Sequence, residues 1–209
     1  MITVDKIKAL INTSTPTIDG IYSVASKTQL PIIQLGEQGM DPADDNVFGI
    51  FPSSIVSEYD YGVYLRNKGI TEMTIVYTNM DAMIRFVDSF KKGFQGKTND
   101  FLINTDEKDF RTHAVKVAAL KPENIGFFIF PQQGSQFIKE FNKISKNKPQ
   151  LFFDANFQSG YADYKRLLGD LNILNGSIVG TVESTLSDSF KIAYKSRFGT
   201  EPGFLSDMG

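Results

Sequence analysis

Short apolar runs alternate with amphipathic stretches along nearly the whole chain. Eight of the runs are too short for a typical helix, and most are rich in Ile, Val, Phe or Tyr, so we predict that they are strands. They are Ala9–Ile11, Pro31–Leu35, Val47–Phe51, Met73–Tyr77, Phe101–Ile103, Ile125–Phe130, Gln150–Phe153 and Ser177–Val182.

Between these runs, apolar or aromatic residues recur three and four positions apart, which predicts helices with one buried face. The segments are 18–25, 59–64, 84–94, 110–118, 137–144 and 190–198. Gly69, Gly96 and Gly199 stand where three of these helices are expected to end. Each return to a parallel neighbouring strand needs a crossover, so the predicted fold class is α/β, with mostly parallel sheets and flanking helices.

Composition narrows the classes of function. The 209 residues suffice for one large domain or two small ones, with 41% hydrophobic and 22% charged residues. A net charge of −2 argues against nucleic acid as a partner, and no run of basic residues suggests binding to an anionic membrane surface. The absence of cysteine excludes disulfides and thiolate metal sites, and a single histidine, His113, leaves no multi-histidine metal site. We predict no metal and no cofactor.

Several segments carry a family resemblance when taken in order. In the first part of the chain they are Ala9–Asn12 with Ser14-Thr15, Leu30–Ile33 with Gly36, and Asn46–Ser53. Farther on they are Lys68-Gly69 with Met73–Tyr77, Asp109-Phe110 with Leu120–Glu123, and Phe190–Gly199. Together they resemble the type I periplasmic binding proteins, specifically the branched-chain amino-acid-binding proteins of ABC importers.

This resemblance implies two lobes that close on an amino acid or a similar small polar ligand without changing it chemically. Residues 1–55 would form part of the first lobe and residues 56–182 a nearly complete second lobe. Residues 183–209 would form a late helix and the start of a return towards the first lobe. Relatives extend farther at both ends, so the chain resembles a fragment, and its uncovered sheet edges are expected to promote self-association.

The resemblance also implies partners and a location. The expected partners are a small-molecule ligand and the membrane permease of an importer, and the expected location is periplasmic or extracellular. Residues Met1–Lys8 lack the apolar block of a secretory signal, which a mature chain would lack as well. A ligand-sensing receptor domain of the same fold is the alternative function.

Ligands of open α/β sheets bind outside the carboxyl ends of the strands. That rule points to the segments 12–15, 34–38, 78–81, 131–134 and 154–157. Ser14 and Thr15 precede a predicted helix, so they would either cap it or, with its free amides, hold a ligand carboxylate. The remaining candidates are Glu37, Gln38, Asp81 and Gln132. Glu37 and Gln38 occupy the loop that supplies polar contacts in the family that this chain resembles; the alternative is a solvated loop pair.

Asp154 follows the apolar run Leu151–Phe153. In the family that this chain resembles, an acid near this position receives the ligand's ammonium group through a charge-assisted hydrogen bond. The alternative is that Asp154 only caps the turn that follows. Where relatives place Tyr-Gly over the ligand, this chain has Ala82-Met83, so the aromatic contact is either lost or supplied from elsewhere.

Catalysis is the rival class of function. Asp106, Glu107 and Asp109 cluster at a predicted helix start, where acids favour the positive end of the helix. His113 stands four residues after Asp109, which favours a surface ion pair over a catalytic dyad. We find no glycine-rich phosphate loop and no nucleophile elbow, and we therefore predict a protein that is not an enzyme.

Overall fold

The computed structural model describes residues 6–13, 17, 20–21, 23, 27–35, 46–49, 53–181 and 187–202. The strands are β1 (Leu10–Asn12), β2 (Ile32–Gln34), β3 (Val47–Gly49), β4 (Glu72–Thr78), β5 (Lys97–Ile103), β6 (Asn124–Phe128), β7 (Gln150–Phe153) and β8 (Ile178–Val179). The helices are α1 (Ser54–Asn67), α2 (Asp81–Phe94), α3 (Phe110–Ala119), α4 (Pro131–Ile144), α5 (Asn156–Ser159), α6 (Tyr161–Leu168), a 3-10 helix (Leu171–Leu174) and α7 (Asp188–Phe198). None of these helices is long and apolar enough to cross a membrane.

The chain divides into two compact units. The smaller consists of residues 1–52 and 182–209, and the larger of residues 53–181. The smaller unit holds a three-stranded parallel sheet in the order β1-β2-β3. The larger holds a five-stranded parallel sheet in the order β5-β4-β6-β7-β8. The predicted fold class, α/β with mostly parallel sheets and flanking helices, is therefore confirmed.

Only one face of the small sheet is covered by described residues. Leu30 and Ile32 are buried there. On the other face, Ile11, Ile33 and Phe48 lie side by side in register across the three strands. Ile11 is 61% exposed and Phe48 is 57% exposed. A parallel sheet is normally buried on both faces, so this apolar row is an uncovered surface of the described part of the smaller unit.

The large sheet is buried on both faces, and its side chains alternate strictly between two cores. On β6 and β7, Phe127 and Phe153 point into one core, whereas Phe128 and Phe152 point into the other. Helices α3, α4 and α6 cover the first core, and helices α1 and α2 cover the second. These strands read as continuous apolar runs because both faces need apolar side chains.

Helices α1 and α2 approach each other closely where two glycines meet. A methyl group on Gly62 would lie 2.6 Å from the backbone nitrogen of Phe94 and would overlap the carbonyl oxygen of Phe90. A methyl group on Gly93 would overlap the carbonyl oxygen of Tyr59. The two backbones are therefore in direct contact. Because glycine has no side chain, the two helices come close enough for the aromatic residues around the crossing to pack on the sheet.

All eight predicted strands are present, but several bounds differ. Strand β5 begins at Lys97, four residues before the predicted start, because an edge strand tolerates polar residues on its exposed side. Helix α2 ends through Gln95 in a left-handed conformation rather than at Gly96. Gly96 instead packs against the ring of Phe94 and the carbonyl oxygen of Thr71. Helices α5 and α6 were not predicted.

Helix α7 occupies its predicted position and ends at Gly199, whose φ is +73°. The apolar residues of this helix were expected to lie on a sheet, yet none of them is buried. Phe190, Tyr194 and Phe198 contact one another instead, with centroid distances of 5.8 and 4.6 Å between successive rings. Ring-to-ring contacts within α7 thus partly replace the burial of these side chains against a sheet or another helix.

The crossing of α1 and α2 predicts a large effect from a small change. Gly62→Ala should lower the free energy of unfolding by about 1–3 kcal/mol, because the added methyl group forces the two backbones apart. Chemical denaturation followed by circular dichroism measures the loss. Asn67→Ala, at the exposed end of the same helix, is the matched control and should change stability by less than about 0.5 kcal/mol. Equal stability of Gly62→Ala and the control would contradict the close packing.

Candidate functional site

The carboxyl ends of the parallel strands in the larger unit meet at one edge of the sheet, which we call the carboxyl edge. Strand β4 lies between β5, which follows it in the chain, and β6, which comes next. The crossover from β4 to β5 passes through α2 and the crossover from β5 to β6 through α3, and these two helices lie on opposite faces of the sheet, since α2 belongs to one core and α3 to the other. The junction of β4 and β6 is therefore the topological switch point, where open α/β sheets bind their ligands.

The side-chain amide of Gln133 forms hydrogen bonds to both β4 and the segment after β5 at this junction. Gln133 lies in the first turn of α4, which begins at Pro131, a residue suited to a helix start because its fixed φ is helical and it lacks an N–H. The hydroxyl of Thr78, the last residue of β4, donates to Oε1 of Gln133 at 2.8 Å. Nε2 of Gln133 donates to the carbonyl oxygens of Asn104 and Thr105 at 2.8 and 3.3 Å. One buried amide thus links the ends of β4 and β5 to α4.

Exposed polar side chains lie next to this network. Nδ2 of Asn79 donates to Oδ1 of Asn104 at 2.9 Å. Asp81 is the first residue of α2 and Gln132 the second of α4, and both are exposed. Two of the predicted site residues, Asp81 and Gln132, therefore lie at the carboxyl edge, each at the start of a helix that follows one of the neighbouring strands β4 and β6.

Asp154 directly follows β7 and is only 2% exposed. Its Oδ1 accepts from the backbone nitrogen of Asn156 at 3.2 Å, and its Oδ2 accepts from Nδ2 of Asn156 at 2.7 Å. Its carbonyl oxygen accepts from the nitrogen of Phe157 at 3.1 Å. Asp154 therefore caps the turn that follows it, as the structural alternative predicted, and it does so as a buried acid at the carboxyl edge.

Two buried tyrosines lie within the electrostatic reach of Asp154. Burial, with contributions from Glu58 and Asp154, holds the pKa of Tyr61 far above its ordinary value. Burial and Asp154 do the same to the pKa of Tyr164. The Tyr61 hydroxyl donates to the carbonyl oxygen of Ile178 at 3.3 Å, so this ring also fixes the start of β8. Both phenols stay protonated and neutral beside Asp154.

Solved structures with this arrangement of elements were found, although no protein-family profile and no curated protein matches the sequence. A leucine-binding protein from Thermotoga maritima superposes with a TM-score of 0.79 at 13% identity, over 99% of this chain and 62% of that one. An ABC-transporter solute-binding protein from Rhodopseudomonas palustris, in complex with benzoate, gives 0.72 at 18%, over 99% and 60%. An extracellular ligand-binding receptor from Rhodopseudomonas palustris gives 0.75 at 14%, over 99% and 63%.

The fold is that of the type I periplasmic binding proteins. The identities establish the fold and no more. The chain spans about three-fifths of the length of the structures it matches. The predicted resemblance is confirmed at the level of the fold.

Four of the predicted site residues, Ser14, Thr15, Glu37 and Gln38, lie outside the described residues. Their described neighbours form a polar pair at the carboxyl ends of β1 and β2. Nδ2 of Asn12 donates to Oε1 of Gln34 at 2.7 Å, and both side chains are buried. The roles of the four residues stay predictions.

Ala82 and Met83, where the resemblance leads us to expect Tyr-Gly, are both buried in the core beneath α2. Neither side chain is therefore available to cover a ligand. Aromatic surface is present nearby, because Phe130 is 37% and Tyr161 is 47% exposed. Gly160, next to Tyr161, packs against Pro131 at the start of α4, which places Tyr161 near the carboxyl edge.

The cluster of acids after β5 organises the start of α3. Asp109 caps the helix by accepting from the backbone nitrogen of Thr112 at 3.0 Å. The side-chain partner of His113 is Glu107, whose Oε2 lies 2.9 Å from Nε2 of His113, rather than Asp109 as expected. Within the described ranges, no group of three or more His, Cys, Asp or Glu residues could hold a metal ion.

Sequence reasoning missed Asn104 and gave no separate weight to Thr78, Gln133 and Asn156. Asn104 follows the apolar run Phe101–Ile103, so its place after a predicted strand was a usable signal. The sequence carries no such signal for the hydrogen bonds of Gln133, because these bonds form only when β5 and α4 lie on either side of β4.

Neighbouring glutamines in α4 provide a matched test of this network. Gln133→Ala should lower the free energy of unfolding by about 1–3 kcal/mol, because it leaves the Thr78 hydroxyl and the Asn104 carbonyl without their buried partner. Gln132→Ala should change it by less than about 0.5 kcal/mol, because Gln132 is exposed. Urea denaturation measures both. Indistinguishable stabilities would show that the Gln133 amide does not join the strands.

The acid cap of α3 predicts a pH dependence. The backbone nitrogen of Asp109, followed by His113, holds the pKa of Glu107 below its ordinary 4.5. The ionised Glu107 therefore contributes to the free energy of unfolding. This contribution is fully present above pH 4.5 and is lost as the pH falls through the lowered pKa. Glu107→Gln should therefore lose less stability between pH 6 and pH 3 than the parent protein does. Denaturation curves at several pH values test this, with Glu123→Gln as the control for an exposed acid outside the cap; parallel losses in parent and Glu107→Gln would contradict it.

Proposed function

We propose that this chain is part of the solute-binding protein of an ABC importer, located in the periplasm or outside the cell. The observation that carries the proposal is the polar carboxyl edge at the switch point of β4 and β6, on a fold shared with proteins of that class. Its partners would be a small ligand and a membrane permease. The function requires binding and release, and we assign no chemical step to the site.

An amino acid or a similar small polar molecule fits this edge. Asp154 would accept the ligand's ammonium group, which would take the place of the Asn156 amide on Oδ2. Hydrogen bonds to a charged group of this kind are stronger than neutral ones. Asp81 and Gln132 would supply further polar contacts, and Phe130 and Tyr161 would pack against the apolar part of the ligand.

Four further residues, all in the smaller unit, are proposed as ligand contacts. Ser14 and Thr15 precede a predicted helix, whose free amides favour an anionic group such as a carboxylate. Glu37 and Gln38 would add polar contacts after β2. These four assignments rest on the sequence and on the resemblance alone.

A ligand-sensing receptor domain is the second candidate, because one structure of the same fold is an extracellular ligand-binding receptor. Both functions use the same ligand site, so binding data do not separate them. Genes for a permease and an ATPase beside the gene for this chain would favour import. A membrane-spanning or signalling segment encoded downstream would favour sensing.

Calorimetric titration tests the binding site. The ligands are L-leucine, L-glutamate and benzoate, of which only the amino acids carry an ammonium group. Asp154→Asn should weaken binding of the amino acid at least about tenfold, because one charge-assisted hydrogen bond contributes about 1.5–3 kcal/mol. Asp88→Asn, the same change at an exposed position of α2, is the matched control and should leave the affinity unchanged.

Two results would overturn the proposal. Binding of an amino acid that Asp154→Asn leaves intact, with the fold preserved, would remove Asp154 from the site. Binding of benzoate alone, with equal affinity in the parent and in Asp154→Asn, would replace the amino-acid ligand with an aromatic carboxylate.

A further inference from the structure

The sequence contains one Asn-Gly pair, Asn175-Gly176, which lies in the turn between the 3-10 helix and β8. Both residues are exposed. Asparagine is a thermally labile residue, because the backbone nitrogen that follows it can attack its side-chain amide. A glycine in the next position lacks the side chain that would hinder this attack and leaves the backbone free to rotate. The pair therefore combines the most reactive sequence for this attack with exposure to water.

The nitrogen that would make the attack, that of Gly176, donates no hydrogen bond to any described residue. The nitrogens on either side of it do donate. That of Asn175 donates to the carbonyl oxygen of Asn172 at 3.1 Å, and that of Ser177 donates to the carbonyl oxygen of Leu174 at 3.0 Å. The φ of Gly176 is +82°, and a Cβ built there would meet no described group within 4 Å apart from its chain neighbours. The attacking nitrogen is thus accessible in an open turn.

The fold also restrains this turn. The ψ of Asn175 is 130°, so its peptide bond with Gly176 must rotate before the nitrogen reaches Cγ of the side chain. Nε2 of Gln150, the first residue of β7, donates to the carbonyl oxygen of Gly176 and opposes that movement. Nδ2 of Asn175 donates to Oδ1 of Asn172 at 3.2 Å, which orients the side-chain amide. We therefore expect the bond from Gln150 to slow the attack in the folded chain.

We propose that Asn175 is a site of spontaneous deamidation, at a rate that its tether to Gln150 limits. The Gly176 nitrogen gives up its proton and bonds to Cγ of Asn175, while the Cγ–Nδ2 bond breaks and Nδ2 leaves as ammonia with that proton. Water then opens the resulting succinimide ring. Cleavage of the ring at Cγ gives aspartate, and cleavage at the main-chain carbonyl carbon gives isoaspartate. The reaction consumes only water and is independent of the function proposed for the carboxyl edge.

The product differs from the parent in charge and in backbone length. One acid is added to the 24 present, so the formal net charge changes from −2 to −3. The amide that donates to Oδ1 of Asn172 is lost. Isoaspartate also adds one carbon atom to the backbone just before β8, which pairs with β7 through Ile178 and Val179 alone. We therefore expect deamidation to loosen β8 at the edge of the large sheet.

Incubation of the whole chain at neutral and at mildly alkaline pH, followed by peptide mass spectrometry, tests the proposal. Residue 175 should gain the mass that separates Asp from Asn and should appear in both aspartyl and isoaspartyl peptides. The rate should rise with pH, because the attacking nitrogen must lose its proton. Asn172, which is also exposed but is followed by the β-branched Ile173, is the internal control and should react at least about tenfold more slowly.

Two variants test the restraint. Gln150→Ala should make residue 175 react about two- to tenfold faster, the factor that corresponds to one hydrogen bond. Asn147→Ala removes a similar bond, to the carbonyl oxygen of Pro122 in the neighbouring loop, and should leave the rate unchanged. Deamidation of Asn175 no faster than that of Asn172, or an aspartyl product without isoaspartate, would overturn the proposal. Equal rates in Gln150→Ala and Asn147→Ala would overturn the role given to Gln150.

Discussion

The structure depends on the burial of both faces of the five-stranded parallel sheet. Phenylalanines on successive positions of β6 and β7 enter opposite cores, and each buried ring contributes on the order of 1.5–3 kcal/mol. The helices must then lie close to the sheet and to one another, as the glycine contact of α1 with α2 shows. Packing of this kind fixes where each strand ends.

Because the strand ends are fixed, the polar side chains that follow them lie at defined positions along the carboxyl edge. The amide of Gln133 joins β4, β5 and α4, and Asp154 closes the turn after β7 in a similar way. Both use hydrogen bonds that burial strengthens and that are costly to leave unmade. At the amino end of β7, by contrast, a loop and a short 3-10 helix border the sheet.

Periodicity predicted all eight strands and the α/β class, since a doubly buried sheet requires continuous apolar runs that are visible in one dimension. It missed the short helices α5 and α6, although the spacing of Tyr161, Tyr164 and Leu168 in α6 was a usable helical signal. The site was predicted by segment, from the rule for strand ends. The individual contacts of Gln133, and the turn of Met83 into the core, depend on which strands become neighbours and so could not be predicted locally.

Hydrogen exchange measured with and without a saturating amino-acid ligand tests the central claim most directly, because it maps the contact surface on the chain itself. A solute held at the carboxyl edge should slow exchange of the backbone amides at 79–81, 104–105, 132–133 and 155–157. Exchange in the second half of α3 (115–119), which runs away from this edge, should stay unchanged. Protection confined to other segments, with these four unaffected, would contradict the placement of the solute site at the carboxyl edge.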